Sequence, residues 1–213
     1  MPTVTALEEV PGDAKRRHVI FADAPTVELS LEIALEAGLL PGRTVPPSVI
    51  EQACWKDALK RTENDALSFL SRKDLSETEL RRRLLSRGHA EEYVEAIIEK
   101  CRQWGYVDDR RLAEQLVADG VALKHLGPAR LRQKLRERGI GEELAEEVLR
   151  TFENRQPPLV EQAVSALRGK MRAYARLVPE VARRRMIAYL QRRGFDFDTI
   201  REALRRIGED IEG

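Results

Sequence analysis

The chain has 213 residues, of which 42% are hydrophobic, 34% charged and only 5% aromatic, and its formal net charge is +1. That length and apolar content suit a packed core and exclude a chain that is mainly disordered. The near-neutral charge excludes a simple polycation, and no run of about 18 apolar residues is present to cross a membrane.

Abundant Leu, Ala, Glu and Arg, with few β-branched and aromatic residues, favour helices over sheets. The charge is uneven: −4 over residues 1–59, +1 over 60–156 and +4 over 157–213. Such an asymmetry permits a nucleic-acid surface on the C-terminal part without requiring one. Cys54 and Cys101 lie far apart, neither in a C-x-x-C pair, and read as packed thiols in a reducing compartment. The opening sequence, MPTVTALEEVPGDAKRR, has no apolar core of a secretory signal, so a cytoplasmic protein is expected.

In chain order, residues 1–17 carry Pro, Gly and charge without a period and are expected to form a mobile tail. His18 to Asp23 reads as a short strand and Thr26 to Leu29 as a second, joined through Asp23-Ala24-Pro25. Ser30 is placed to cap a short helix over Leu31 to Ala37, closed by Gly38. Pro41-Gly42 and Pro46-Pro47 punctuate a loop. From Ser48 onward the pattern is helical, broken at glycines and prolines.

Those breaks repeat. ELRRRLLSRG at 79–88, RLRQKLRERG at 130–139 and RMIAYLQRRG at 185–194 all end in Arg-Gly, and the glycines stand 51 and 55 residues apart. Four residues before each glycine is Leu84, Leu135 or Leu190; eight before is Leu80, Leu131 or Met186. These pairs share one helical face. An apolar pair follows nine and ten residues after each glycine: Ile97-Ile98, Val148-Leu149 and Ala203-Leu204. The unit is therefore a helix pair about a glycine plus a further helix, with candidates at about 48–72, 109–124 and 158–170. Stacked supersecondary units of this size bury a shared core.

Local chemistry agrees with these boundaries. Ser76-Glu77-Thr78-Glu79 is a capping box. Gly127-Pro128 opens the second glycine-ended helix with Pro at its first position, and Pro179 sits in the first turn of the third. Asp108 is placed to cap the helix that follows it. Trp104 and Tyr106, flanking Gly105, are expected to pack on the helix they terminate.

The stretch from Ala66 to Arg150 resembles the core of the RecX family. Three ordered blocks carry the likeness: ALSFLSRKDLSETELRRRLLSRG at 66–88, WGYVDDRRLAEQLV at 104–117 and LGPARLRQKLRERGI at 126–140. The segment 158–207 fits more loosely, with Tyr189 where the first two units have Arg83 and Lys134. The resemblance implies an all-α fold of tandem three-helix, helix-turn-helix-like repeats in a curved solenoid, preceded by a short strand-containing segment. The expected division is 1–47, 48–108, 109–156 and 157–213. The resemblance also implies a regulator, without enzymatic activity, that binds the RecA–single-stranded-DNA filament. Members of the family limit RecA's ATP hydrolysis, filament growth and strand exchange in recombinational repair and the SOS response, and some bind DNA. A monomer is expected.

The candidate contact residues are a basic stripe on the glycine-ended helices: Arg81, Arg82, Arg83 and Arg87 on the first; Arg130, Arg132, Lys134, Arg136 and Arg138 on the second; Arg183, Arg184, Arg185, Arg192 and Arg193 on the third. Such a stripe suits phosphates or the acidic surface of a protein. The plainer reading is a solvated face, with some arginines paired to Glu77 or Glu79 along their own helix. No catalytic, metal or cofactor signature accompanies the stripe. His18, His89 and His125 are dispersed, and neither a P-loop nor a G-x-S-x-G motif occurs. The competing reading is a helix-turn-helix DNA-binding protein with no RecA role, which would prefer one duplex sequence. A two-helix scaffold is disfavoured by the repeat period.

Overall fold

The computed structural model describes residues 1–154 and 157–212. Among these residues there are three strands and eleven helices. They divide into two compact units: Met1–Lys73 with Leu80–Tyr106, and Asp74–Glu79 with Val107 onward.

The first unit begins with a sheet, where a mobile tail was expected. Strands β1 (Val4–Val10), β2 (Asp13–Phe21) and β3 (Val27–Ser30) form an antiparallel sheet in that order. Val10 pairs with Asp13 across Pro11-Gly12, and Gly12 takes φ +86, a value open to glycine without a Cβ penalty. The charges at 13–17 had suggested a solvated tail. A strand with one wet face tolerates them, and the buried Val4, Val19, Phe21 and Leu29 supply the other face. The expected second hairpin forms, with His18 opposite Glu28 and Val19 opposite Val27. Helix α1 (Leu31–Glu36) starts at Ser30, whose side chain accepts from the Ile33 N–H as expected.

Helix α2 (Pro47–Leu70) underlies this sheet and contributes Ala53 to its core. Asp57 joins the parts. Its carboxylate is almost fully buried, accepts from Ser30 N at 2.8 Å and pairs with Arg16 at 2.9 Å. One side chain thus holds β2, the start of α1 and α2 together. Helix α4 (Glu91–Gln103) packs on α2, and His89 bridges Thr62 at 2.9 Å and Asp65 at 2.8 Å of α2. Helix α3 (Glu77–Ser86) runs across the division between the units.

The second unit holds α5 (Asp109–Lys124), α6 (Pro128–Glu137), α7 (Glu142–Glu153), α8 (Leu159–Arg168), the short α9 (Met171–Tyr174), α10 (Pro179–Arg192) and α11 (Phe197–Glu212). Two cores form within it. Leu131, Leu135, Val148 and Leu149 belong to one, and Leu167, Leu190, Ile200 and Ala203 to the other. Whether the chain flexes at Gln156-Pro157-Pro158 is left open by the sequence, and that segment lies partly outside the described residues, at Gln156.

The three Arg-Gly turns have the same hydrogen bonds. Gly88, Gly139 and Gly194 take φ of +87, +73 and +87. The residue after each glycine then donates back to the leucine that stands four before the glycine: His89 N to Leu84 O at 3.3 Å, Ile140 N to Leu135 O at 3.0 Å, Phe195 N to Leu190 O at 3.2 Å. This is the six-to-one bond of a Schellman ending. The turns differ in what covers them. Gly139 lies against Thr78, and a Cβ there would come within 2.6 Å of it; at Gly194 it would meet Arg130 N at 2.3 Å; at Gly88 it would meet nothing.

Two predictions follow from these positions. Gly88→Ala costs about 1–2 kcal/mol from the left-handed backbone alone, whereas Gly139→Ala and Gly194→Ala cost more, because they add a clash. Urea denaturation should rank Gly194 and Gly139 well above Gly88, and equal losses at all three would contradict the packing account. Asp57→Ala leaves the Ser30 N–H unpaired and Arg16 held by Glu28 alone, and costs about 1–3 kcal/mol, measured as a lowered denaturation midpoint of the first unit.

Candidate partner-binding surface

Each glycine-ended helix begins at a polar or proline cap. At α3 the capping box closes as expected: Glu79 N donates to Ser76 Oγ at 3.1 Å, and Ser76 N to Glu79 Oε2 at 3.2 Å. The same residues do a second task. Ser76 Oγ donates to the Arg138 carbonyl at 2.5 Å and Thr78 Oγ1 to the Gly139 carbonyl at 2.9 Å. Gly127 N donates to the Arg193 carbonyl at 2.7 Å and Ala129 N to the Gly194 carbonyl at 3.3 Å. The start of one glycine-ended helix therefore covers the end of the next, satisfying carbonyls that a helix end leaves open.

The fourteen predicted cations fall into three groups. One group is consumed by carboxylates. Arg81 forms a two-pronged pair with Glu95 (2.5 and 2.7 Å), and Arg132 forms the same pair with Glu146 (2.5 and 3.2 Å). Both join the two helices flanking a glycine turn, with partners seven residues to either side of it. Arg81 thus reaches across the turn to Glu95. Arg138 holds Glu79 at 2.9 Å and the Asp74 carbonyl at 2.8 Å. Arg130 bonds Gln133 and lies 3.9 Å from Glu137. These contacts perturb the acids as expected. Hydrogen bonds from Arg81 and Arg132 hold Glu95 and Glu146 below the usual carboxylate range.

The second group is stacked on rings. The Arg83 and Arg87 guanidiniums lie 5.7 and 5.6 Å from the Phe69 centroid, and Arg193 lies 4.7 Å from that of Tyr189. Tyr189, the departure noted in the third repeat, thus carries Arg193, the residue that caps the end of its own helix.

The third group has no side-chain partner among the described residues. It comprises Arg82, Lys134 and Arg136, and four residues of α10: Arg183, Arg184, Arg185 and Arg192. All but the half-buried Lys134 are exposed. In the third repeat the clasp positions are Ile187 and Arg201, and Arg201 turns to Asp198 at 2.9 Å instead. No arginine of α10 is bound to a carboxylate among the described residues.

Further exposed cations lie outside the Arg-Gly pattern. Lys170, Arg172 and Arg176, on and around α9, are exposed. Between residues 168 and 193 the sequence places nine cations against a single carboxylate, Glu180. A count of charge along the chain carries that signal; the repeat alignment does not. Trp104 and Tyr106 are 44% and 51% exposed. They lie edge-to-face at 5.6 Å, with Lys100 Nζ 4.6 Å from the Trp104 ring, so their packing on α4 is partial.

Asp108 caps α5 as expected, accepting from Arg111 N at 2.9 Å. The Cys101 thiol is buried and Cys54 is half-buried; burial raises the pKa of both. Among the described residues no cluster of His, Cys, Asp or Glu is arranged to hold a metal ion, and no helix is long and apolar enough to cross a membrane.

Three family models match the chain in order: the first three-helix domain of RecX over residues 64–101, the second over 108–149 and the third over 159–204. The regulatory protein RecX of Halorhodospira halophila is 33% identical over 157 residues, covering 73% of this chain and 93% of that relative. Its counterpart in Bacillus licheniformis is 25% identical over 204 residues, 96% of this chain and 77% of the relative. Among solved structures, a regulatory protein RecX superimposes with a TM-score of 0.65 at 21% identity, covering 93% of this chain and 97% of the other. The RecX of Lactobacillus salivarius gives 0.63 at 23%, covering 72% and 98%. On the three ordered domain matches and the curated relatives, this chain belongs to the RecX family of regulatory proteins.

Proposed function

We propose that this chain is a non-enzymatic, cytoplasmic regulator that binds the RecA–single-stranded-DNA filament as a monomer. It restrains RecA's ATP hydrolysis, filament extension and strand exchange, and so acts in homologous recombination, DNA repair and the SOS response. The observation that carries this reading is the ordered match to all three RecX domains. The repeats 48–108, 109–156 and 157–213 are its working modules.

The surface chemistry supports a division of labour within the stripe. Arg81, Arg132 and Arg138 hold the protein's own helices together, so they have little left for a partner. Arg183, Arg184, Arg185 and Arg192 of α10, with Lys170, Arg172 and Arg176, meet phosphates or acidic side chains of the filament. Arg82, Lys134 and Arg136 add to that contact. Guanidiniums without an internal partner form charge-assisted hydrogen bonds with no bond to break first.

The test is the single-stranded-DNA-dependent ATPase of the cognate RecA, titrated with this protein at moderate salt. Inhibition well below one copy per RecA monomer is expected, and none up to equimolar overturns the reading. Charge reversal of Arg183, Arg184 and Arg185 to Glu should weaken inhibition by roughly tenfold or more, because close opposite charges become like charges. Arg81→Gln and Arg132→Gln should leave it near the parent value. Inhibition should also fall steeply with salt where phosphates are the target.

A further inference from the structure

Helix α10 carries an exposed face whose chemistry the fold does not use. Val181, Arg184, Arg185, Ala188 and Arg192 stand at i, i+3, i+4, i+7 and i+11 and so lie along one side. Val181 and the three arginines are exposed, and Ala188 is half-buried. Ala182 and Leu190 are buried on the opposite side, where Met186 and Tyr189 pack on the core. We propose that this face docks a carboxylate-rich polypeptide segment of the partner protein, one that sets apolar side chains among its acids. The proposal rests on the RecA-binding reading above and names the chemistry that α10 meets.

Two kinds of group on this face lack a partner. The guanidiniums of Arg184, Arg185 and Arg192 meet no carboxylate among the described residues, and Glu180, the one acid of α10, forms no ion pair with them. The valines are the second kind. Thirteen residues before the glycine of each repeat stands an apolar residue: Leu75, Leu126 and Val181. The first two are buried, at 2% and 8% exposure, whereas Val181 is 40% exposed. The earlier start of α10 carries it onto the helix and off the core. Val178, one turn before it, is 67% exposed and occupies the N-cap position that Ser76 fills at α3. Valine is among the poorest residues for that position, so the fold does not account for it. Single exposed valines are ordinary. Two of them one turn apart, beside unpaired guanidiniums, form the apolar centre and arginine rim of a protein interface.

A nucleic-acid backbone would satisfy the guanidiniums and leave both valines uncovered. The adjoining helix points the same way. In a helix-turn-helix, the helix after the turn enters the major groove. Here that helix is α11, and its cations are already held: Arg201 by Asp198 at 2.9 Å, and Arg205 and Arg206 by Glu202 at 2.6 and 3.2 Å. The open positive charge of this helix pair lies on α10, beside the valines, and an acidic segment with apolar side chains complements both.

Fluorescence anisotropy of the full chain with short labelled probes tests the face. The probes are a peptide of glutamate and leucine at helical spacing, the same peptide with serine for leucine, and an oligothymidylate of equal charge. The glutamate–leucine peptide should bind saturably, and the serine version about tenfold more weakly, as for the loss of one buried apolar side chain. Joint Arg184→Glu and Arg185→Glu should weaken the first peptide by roughly tenfold or more. Arg201→Gln, whose charge Asp198 already holds, should leave it near the parent value. Val178→Ser separates docking from folding. The new cap should raise the thermal midpoint while the peptide binds less tightly; a merely structural valine would move stability alone. The proposal is overturned by the absence of saturable binding or by equal affinity for the two peptides. Tighter binding of oligothymidylate also overturns it and assigns the face to nucleic acid. RecA inhibition that persists without peptide binding strikes this inference alone. Peptide binding without RecA inhibition strikes the RecA reading and leaves the acidic-segment surface standing.

Discussion

Leu84, Leu135 and Leu190 each do two things that the rest of the structure depends on. Their side chains are buried at the centre of a three-helix unit, and their carbonyls accept the bond that closes the following Arg-Gly turn. Core and turn are therefore set by one residue. The glycine four positions on takes the left-handed backbone that this bond requires, at all three turns. The recurring apolar pairs then meet the same core, with Ile97-Ile98 and Val148-Leu149 buried and Ala203 fully so.

Two of the turns are also met by the start of another glycine-ended helix within the second unit. Bare α-carbons at Gly139 and Gly194 let Thr78 and Arg130 approach closer than any side chain would allow. The start of the preceding helix donates to the turn's carbonyls in both cases, by hydroxyls from Ser76 and Thr78 and by backbone N–H from Gly127 and Ala129. Gly127 has no hydroxyl to offer, and its own lack of a Cβ is what brings its N–H within 2.7 Å of Arg193 O. A side-chain solution in one turn and a backbone solution in the other thus satisfy the same requirement.

This is why the helical repeats and the second hairpin were legible in the sequence and the first strand was not. Glycine, leucine and capping residues at fixed offsets are local signals, and α5 and α10 begin at the residues those signals pick, Asp109 and Pro179. The first strand had a local signal too, Pro11-Gly12, but the charged run at 13–17 masked the alternation around it. The end of α5 at His125 breaks the glycine rule and left no mark a pattern could find. The Arg81–Glu95 and Arg132–Glu146 clasps join residues fourteen apart, invisible to a helix-face argument, although their symmetry about each glycine is a readable trace. The candidate stripe was legible only as a set of residue types. Which arginines have internal partners depends on where carboxylates lie on the neighbouring helix.

That dependence changes what the net charge of +1 means. In the first two repeats glutamates seven residues beyond each glycine claim an arginine seven residues before it. In the third those positions are Ile187 and Arg201, and α10 starts fifteen residues before its glycine instead of eleven. The clasp is gone, the helix is longer by about one turn, and its arginines have no carboxylate facing them among the described residues. A chain that is nearly neutral overall thus concentrates most of the stripe's unneutralised charge in one module, with Arg82, Lys134 and Arg136 the remainder in the other two. Exposed ion pairs contribute only up to about 1 kcal/mol each, so losing the clasp there costs the fold little. The gain is a set of guanidiniums open to contact, and the module that departs furthest from the repeat pattern is the one best suited to meet an anionic partner.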